Sequence, residues 1–370
     1  MNVLIIESCE AKIERNYKHT TIAHVRNSVV IADYLNADLI SVETEIPEVV
    51  NKKYDVIICM YASGYMMYNK YLQILLNNKD AKIFWMVNEY SIPDNVLLRK
   101  FVEQTEIGYD MIANIPRHSY KQSLLNLNIN GILLNDWIEN WDCFNLNCLL
   151  FDNSFVRRIV PTLFKNEKAE CIYYSTFRPD RVKDMLDYNS ADYGISTSKK
   201  NVDLFKEAGV VARFGDKLSW EKGRETLYEF KYSLYLEDNH THTNYNYMAN
   251  RYYECLMLDV LIFFDHRCSL VIEKCGYNID SFMIVKNGDD LNEKMKIVDS
   301  DINLYNKLLD IQRSNYDIIN KEKEQVLQSI KNVLLRPKTP IDRSYFERLE
   351  KKRKSKPKED SLDQIQLNLF

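Results

Sequence analysis

Short, unbroken runs of apolar residues alternate with helix-like patterns along the first half of the chain, and the alternation restarts near residue 170. A strand without polar interruptions is typical of a parallel sheet that helices cover on both faces. The sequence therefore predicts an α/β protein built from two successive units, with a boundary within residues 151–167. A chain of 370 residues is long enough to form two such domains.

The elements of each unit follow from these apolar runs. In the first unit we expect strands at 2–6, 39–41, 54–60, 82–87, 111–115 and 131–134, and helices at 22–35 and 68–76. In the second we expect strands at 170–174, 193–196, 210–214, 232–237 and 260–265, and helices at 181–186, 202–208 and 247–258. A long helical segment, continuous or in pieces, is expected at 302–335.

Glycine is scarce, which excludes several ways of binding phosphate. The chain has 9 glycines, and no two of them form a G-x-G. A dinucleotide-binding G-x-G-x-x-G, a P-loop and a kinase glycine-rich loop are therefore absent. If this protein binds phosphates, side chains and helix N-termini must do so.

Charge and cysteine content indicate an ordinary protein of a reducing compartment. The net charge is −4, which does not by itself call for a nucleic-acid partner. The 8 cysteines include no C-x-x-C pair and mostly lie in apolar runs, so we expect buried, reduced thiols. The start of the chain is a strand rather than a signal peptide, and the longest apolar run is too short to cross a bilayer. We expect a soluble, cytoplasmic protein without a membrane partner.

Two arginines follow the predicted strand 170–174 and begin the next helix. They are Arg178 and Arg181, in the segment STFRPDR, directly after Phe177. Ligands of α/β sheets bind at the carboxyl ends of strands, and guanidinium groups there can neutralise a diphosphate. Exposed surface arginines are the alternative interpretation of this pair.

A second basic residue and an acidic residue lie three positions apart in the helix before the strand 260–265. Arg251 and Glu254 therefore share one face of that helix. An ordinary helix salt bridge would explain them. The functional interpretation is an arginine that faces phosphate and a carboxylate that accepts hydrogen bonds from ribose hydroxyls.

A third candidate is Glu89, which comes just after the strand 82–87 in the segment KIFWMVNEYSIP. An acid at the end of a buried strand can act as a general base at a cleft between domains. A solvated or capping glutamate is the alternative.

Together these segments resemble the DNA β-glucosyltransferases of T-even bacteriophages. The similarity also includes TNYNYMANRYYECLMLDVLIFFD, and it runs in order along much of the chain. Glu89 falls where that family has an aspartate base. Arg178 and Arg181 match its two diphosphate-binding arginines, which follow a Ser-Phe. Arg251 and Glu254 match its later arginine and ribose-binding glutamate. The resemblance thus implies a donor site formed by Phe177, Arg178, Arg181, Arg251 and Glu254. The base here is one methylene longer, and the loop between the first two arginines is one residue shorter.

The resemblance implies a GT-B fold, with two Rossmann-like domains that face a central cleft. It places an acceptor (DNA) domain at 1–160 and a nucleotide-sugar domain with a closing helix at 161–336. The basic run near the end of the chain predicts a disordered tail at 337–370. The resemblance also implies a UDP-sugar donor, with glucose as the expected sugar, and a 5-hydroxymethylated pyrimidine of double-stranded DNA as the acceptor. Glu89 would remove the hydroxymethyl proton in an inverting displacement, and the protein would work as a monomer in an infected bacterium.

The last five residues resemble a second known motif, the peptide by which proteins bind bacterial sliding clamps. Gln366 would orient the peptide, while Leu367, Leu369 and Phe370 would fill an apolar pocket. A chance hydrophobic end, or one that docks on its own chain, is the alternative. The basic run at 351–358 would link this peptide to the enzyme and contact DNA phosphates.

No metal ligand set is predicted. His240 and His242 form a pair in a polar stretch without partner acids, and we expect them to be hydrogen-bonded or exposed. A Mg²⁺ ion beside the diphosphate stays open. Two other functions also stay open: a GT-B enzyme that acts on a small molecule or polysaccharide, and a non-catalytic, clamp-bound DNA-binding protein.

Overall fold

The computed structural model describes residues 1–7, 23–41, 47–60, 73–88, 109–114, 141–152, 171–218, 227, 229–238 and 248–338. These residues form two six-stranded sheets, one from each half of the chain. Every neighbouring pair of strands is parallel. The prediction of two Rossmann-like α/β units is confirmed.

The first sheet has the strand order β2-β1-β3-β4-β5-β6. Its strands are β1 (Val3–Glu7), β2 (Asp38–Ser41), β3 (Val56–Met60), β4 (Lys82–Asn88), β5 (Tyr109–Asn114) and β6 (Trp141–Cys143). Helix α1 (Ala23–Leu35) and the short α2 (Pro47–Val50) accompany them, and residues 73–77 are also helical. Strands β1 and β3 are buried along their whole length, as their apolar residues predict, and the burial includes the one charged residue, Glu7 at the end of β1.

The second sheet has the order β12-β11-β10-β7-β8-β9. Its strands are β7 (Cys171–Tyr174), β8 (Gly194–Thr197), β9 (Arg213–Asp216), β10 (Tyr232–Tyr235), β11 (Leu261–Asp265) and β12 (Ile284–Val285). Its helices are α3 (Pro179–Met185), α4 (Lys199–Glu207), α5 (Asn250–Met257), α6 (Ser269–Cys275), α7 (Gly288–Ser300), α8 (Ile302–Arg313) and α9 (Asn315–Leu335).

Helix α9 ties the two halves together. Tyr34 of α1 donates a hydrogen bond to Gln328 of α9 over 3.0 Å. At the end of α9, the Lys82 ammonium of β4 donates to the carbonyl oxygens of Leu334 and Arg336, the latter over 2.6 Å. A lysine that caps the last carbonyls of a helix stabilises them by charge and by hydrogen bonding.

The segment 302–335 is helical in two pieces, one of the two forms expected, with a break at Ser314 where Asn315 starts a new helix. Other elements differ from the sequence-based predictions. Strand β9 starts three residues later than the predicted 210–214, because Gly209 ends α4 with a positive φ of 84° and the chain needs a few residues to return to the sheet.

The sequence-based predictions also lacked five elements of the structure, namely β6, β12, α6, α7 and the helical turn Leu146–Leu150. Strands of two or three residues are too short to show a period, but the start of α7 had a signal. The Asn287 side chain accepts a hydrogen bond from the Asp290 amide there, and two acids follow in the first turn. The predicted strand 131–134, the start of the helix 68–76, and most of the boundary 151–167 lie outside the described residues.

The described cysteine side chains agree with the prediction of buried, reduced thiols. The side chains of six cysteines are described; these six are free thiols, and five of them are buried. Burial raises the pKa of the Cys59 and Cys171 thiols above the ordinary value, so these thiols stay protonated. In the part of the chain that the structure covers, we find no helix with the length and hydropathy to cross a membrane.

Candidate nucleotide-sugar site

The order of strands in the second sheet reverses between β7 and β10. The chain adds β8 and β9 on one side of β7, then returns to add β10, β11 and β12 on the other side. In open α/β sheets, ligands bind in the crevice beyond the carboxyl ends of the two strands at such a switch point. The predicted arginine segment follows β7, and the segment Leu236–Asp238 follows β10, so both meet at this crevice.

Local sequence explains how the arginines reach the crevice. Arg178 has an extended backbone, with φ −140° and ψ 122°, and precedes the first turn of α3. Pro179 then begins the helix, where its missing N–H and fixed φ are no disadvantage. The turn therefore places Arg178 at the mouth of the crevice and Arg181 one turn into α3.

Arg181 lies at the bottom of the crevice, between two acids from the end of β10. Its Nη2 is 2.6 Å from Glu237 Oε2 and 3.1 Å from Asp238 Oδ2, and its Nη1 donates to Ser175 Oγ over 2.5 Å. The side chain is only 5% exposed. Burial alone would lower its pKa, but the charge of Glu237 and then that of Asp238 raise the pKa above its ordinary value.

Arg251, in the first turn of α5, binds the same acid from the other side. Its Nη1 lies 2.9 Å from Glu237 Oε1 and donates to the Leu236 carbonyl over 2.7 Å. The guanidinium also lies 5.1 Å from the centre of the Tyr173 ring, within the range of a cation–π contact. Glu237 thus pairs with both Arg181 and Arg251. From the sequence, only the family resemblance predicted that these two arginines share a site.

Arg178 is the accessible member of the three. Its side chain is 47% exposed, and its Nη1 is 3.1 Å from Asp238 Oδ2. Phe177, by contrast, turns toward the protein, where its ring meets the edge of Phe205 on α4 at 5.3 Å between centroids. The Phe177 side chain therefore anchors the segment that carries Arg178.

Glu254 lies one turn after Arg251 and is buried, with 4% of its side chain exposed. Its Oε2 accepts a hydrogen bond from Tyr174 Oη over 2.9 Å. Its Oε1 pairs with Nη2 of Arg26 at 2.5 Å, and Arg26 belongs to α1 of the first half of the chain. Burial raises the pKa of Tyr174 well above its ordinary value, so this hydroxyl remains a donor.

The pair Arg26–Glu254 shows how the two sheets are arranged. Helix α1 follows β1 and α5 follows β10, so each helix begins beyond the carboxyl edge of its own sheet. Arg26 lies in the first turn of α1 and Glu254 near the middle of α5. The two carboxyl edges therefore face each other across the cleft between the domains.

Sequence reasoning did not single out Arg26, Glu237 or Asp238. The two acids had a signal, since they follow a buried strand just as Arg178 does. Arg26 had none, because its partner Glu254 is 228 residues away and an isolated arginine in an amphipathic helix is usually solvated.

Several predicted site residues lie outside the described residues. They are Glu89, the pair His240 and His242, and the terminal Gln366, Leu367, Leu369 and Phe370. Across the described ranges, no three His, Cys, Asp or Glu side chains cluster in a way that could hold a metal ion.

The arrangement is suited to bind an anion with attached hydroxyl groups. Among the described residues, three arginines meet two carboxylates at the switch point, and the half-exposed Arg178 is the guanidinium that a ligand can reach. The Glu254 carboxylate is oriented by two donors. A carboxylate has about four acceptor positions, so two remain for a ligand's hydroxyl groups.

The sequence matches no protein-family model and no curated protein. Solved structures do match. The T4 phage β-glucosyltransferase has a TM-score of 0.64 at 15% identity, over 91% of this chain and 100% of that one. An α-glucosyltransferase in complex with UDP-glucose and DNA containing an abasic site has a TM-score of 0.60 at 10% identity, over 91% and 100%. At these identities the similarity shows the fold alone, which is two α/β domains with parallel sheets.

Proposed function

We propose that this protein transfers a sugar from a UDP-sugar to a 5-hydroxymethylated pyrimidine in double-stranded DNA. Glucose is the sugar that we expect. The convergence of Arg178, Arg181, Arg251 and Glu254 at the β7/β10 switch point carries the proposal. Its other support is a fold shared over the full length of two glucosyltransferases, one of them described as a DNA-modifying enzyme and the other bound to DNA.

In this proposal the donor lies with its diphosphate at Arg178. The half-exposed guanidinium can exchange Asp238 for phosphate oxygens and form charge-assisted hydrogen bonds. Arg181 and Arg251 are too buried to move far, so they supply a fixed positive field beneath the diphosphate. Glu254 accepts hydrogen bonds from the ribose hydroxyls, which sets the position of the nucleotide along the crevice.

The reaction is a direct displacement with inversion. Glu89 is the residue after β4, in the domain opposite the donor site, and we assign it as the general base. It takes the proton of the hydroxymethyl group as that oxygen attacks the anomeric carbon, and the bond to UDP breaks. Arg178, Arg181 and Arg251 stabilise the charge that develops on the leaving diphosphate. The target base leaves the duplex stack to reach the cleft.

Transfer of labelled sugar to DNA tests this proposal. UDP-glucose and other UDP-sugars are incubated with duplexes that carry hydroxymethylated or ordinary pyrimidines, with Mg²⁺ and with EDTA. We expect transfer only to hydroxymethylated DNA, and Glu89→Gln should abolish transfer while leaving UDP binding intact. Full transfer by Glu89→Gln would overturn the base assignment.

The same assay separates the alternatives. Hydrolysis of the donor or transfer to added glycans, without transfer to DNA, would favour an enzyme for small molecules or polysaccharide. Failure to bind any UDP-sugar would favour a non-catalytic DNA-binding protein.

We further propose that the C-terminal peptide binds a DNA sliding clamp in an infected bacterium. A tethered enzyme has a high local concentration at newly made DNA without any new contact at its active site. Deletion of residues 366–370 should abolish clamp pull-down and spare transfer to free DNA. Pull-down by the truncated protein would contradict this assignment.

A further inference from the structure

We propose that Arg26 of the first domain is the positioning residue for Glu254, and so makes that domain part of the ribose subsite. The inference rests on the proposed function, in which Glu254 accepts hydrogen bonds from the donor's ribose. It starts from the buried pair across the cleft: the Arg26 side chain is 1% exposed, that of Glu254 is 4% exposed, and Nη2 is 2.5 Å from Oε1.

Charge decides whether Arg26 stays when the donor arrives. A ribose diol is neutral. Its hydroxyls can donate hydrogen bonds to the carboxylate, but they cannot replace the guanidinium as its counter-charge. Displacement of Arg26 would break a buried ion pair, and that costs far more than two added neutral hydrogen bonds would return. The diol should therefore bind while Arg26 remains in place.

Geometry gives Arg26 a defined effect on the diol. Arg26 takes one position on Oε1, and Tyr174 Oη takes one on Oε2 at 2.9 Å, so each oxygen is held by a donor on a different element. Held at both oxygens, the carboxylate cannot rotate, and its remaining acceptor positions have fixed directions. A carboxylate held this way distinguishes a ribose from a 2′-deoxyribose, because the second hydroxyl meets a preformed acceptor.

The test compares UDP with 2′-deoxy-UDP by titration calorimetry. For the unaltered protein we expect UDP to bind about tenfold more tightly, the scale of one hydrogen bond to a charged group. Arg26→Met and Glu254→Gln should each bring the two affinities close to equal, and the double variant should show no additional loss. A merely structural role of Arg26 would weaken both ligands alike and leave their ratio unchanged.

Arg336→Met is the matched control. Arg336 also joins the two halves of the chain, through Asp142 at 2.7 and 3.1 Å, but it does not contact Glu254. This variant should keep the full preference for UDP. If Arg26→Met does not fold, Arg26→Lys keeps the charge but not the planar donor, and it should lose part of the preference.

The outcomes separate this inference from the function on which it rests. A protein that binds neither nucleotide, or binds both equally before any substitution, has no ribose subsite, and the proposed function fails. A protein that prefers UDP and keeps that preference in Arg26→Met or Arg26→Lys overturns the role of Arg26 alone. Tighter UDP binding by Arg26→Met would show that Arg26 competes with the ribose, which also overturns the inference.

Discussion

Arg178 and Arg181 lie three residues apart, but replacing each with methionine should have different effects. Arg181→Met should mainly lower the free energy of unfolding, and Arg178→Met should mainly weaken UDP binding. Arg181 is 5% exposed and pairs with Glu237 and Asp238, whereas Arg178 is 47% exposed and pairs with Asp238. Breaking a buried ion pair costs about 3–5 kcal/mol. Because Glu237 keeps Arg251 at 2.9 Å and Asp238 keeps Arg178 at 3.1 Å, Arg181→Met should cost about 3 kcal/mol, the lower end of that range.

Arg178→Met should cost far less, since solvent screens an exposed pair to about 0.5 kcal/mol. It should nevertheless weaken UDP binding about tenfold, because the accessible guanidinium is the one assigned to the diphosphate. Urea denaturation measures the free energy of unfolding, and calorimetry measures the affinity for UDP.

Equal losses of stability in the two single variants would refute the assignment of Arg181 to a buried acid network. Unchanged UDP affinity in Arg178→Met would refute the assignment of Arg178 to the diphosphate.

Two further predictions concern the second domain. A Cβ on Gly288 would lie 2.6 Å from Ser190 Oγ and 2.7 Å from the Ala191 backbone nitrogen, so Gly288→Ala should lower the free energy of unfolding by about 1–3 kcal/mol. A Cβ on Gly215 would have no neighbouring atom within 4 Å, so Gly215→Ala should change that free energy little. Urea denaturation compares the two, and equal effects would contradict the packing. Burial alone would raise the pKa of Asp265, but hydrogen bonds from Arg267 outweigh it and lower the pKa. The resulting stability is present above the unfolded-state pKa of about 4 and is lost as pH falls through the lower folded-state value. Asp265→Asn should therefore flatten the fall in stability below about pH 4, and an unchanged pH profile would argue against this.

Much of the fold followed from local pattern. Unbroken apolar runs such as 54–60 and 82–87 predicted buried parallel strands, and the structure has β3 and β4 there. Arg178, Arg181, Arg251 and Glu254 could be placed beyond strand ends or on one helix face, because those relations depend only on nearby sequence. The domain limits and Glu89 as base remain predictions.

The electrostatics of the site could not be predicted in the same way. Whether Arg181 is exposed or buried depends on Glu237, which lies in the segment after β10, 56 residues further along the chain. The partner of Glu254 depends on how two domains close against each other. Periodicity reports which face of an element is buried, but it carries no information about which distant charge lies opposite.

A crystal structure of the protein bound to UDP would show whether the donor lies at the β7/β10 switch point. We expect diphosphate oxygens within about 3 Å of the Arg178 guanidinium. We also expect ribose hydroxyls on Glu254, with Arg26 still paired to that carboxylate. UDP bound away from the β7/β10 switch point would contradict the assigned donor site, and a ribose that had displaced Arg26 would contradict its positioning role.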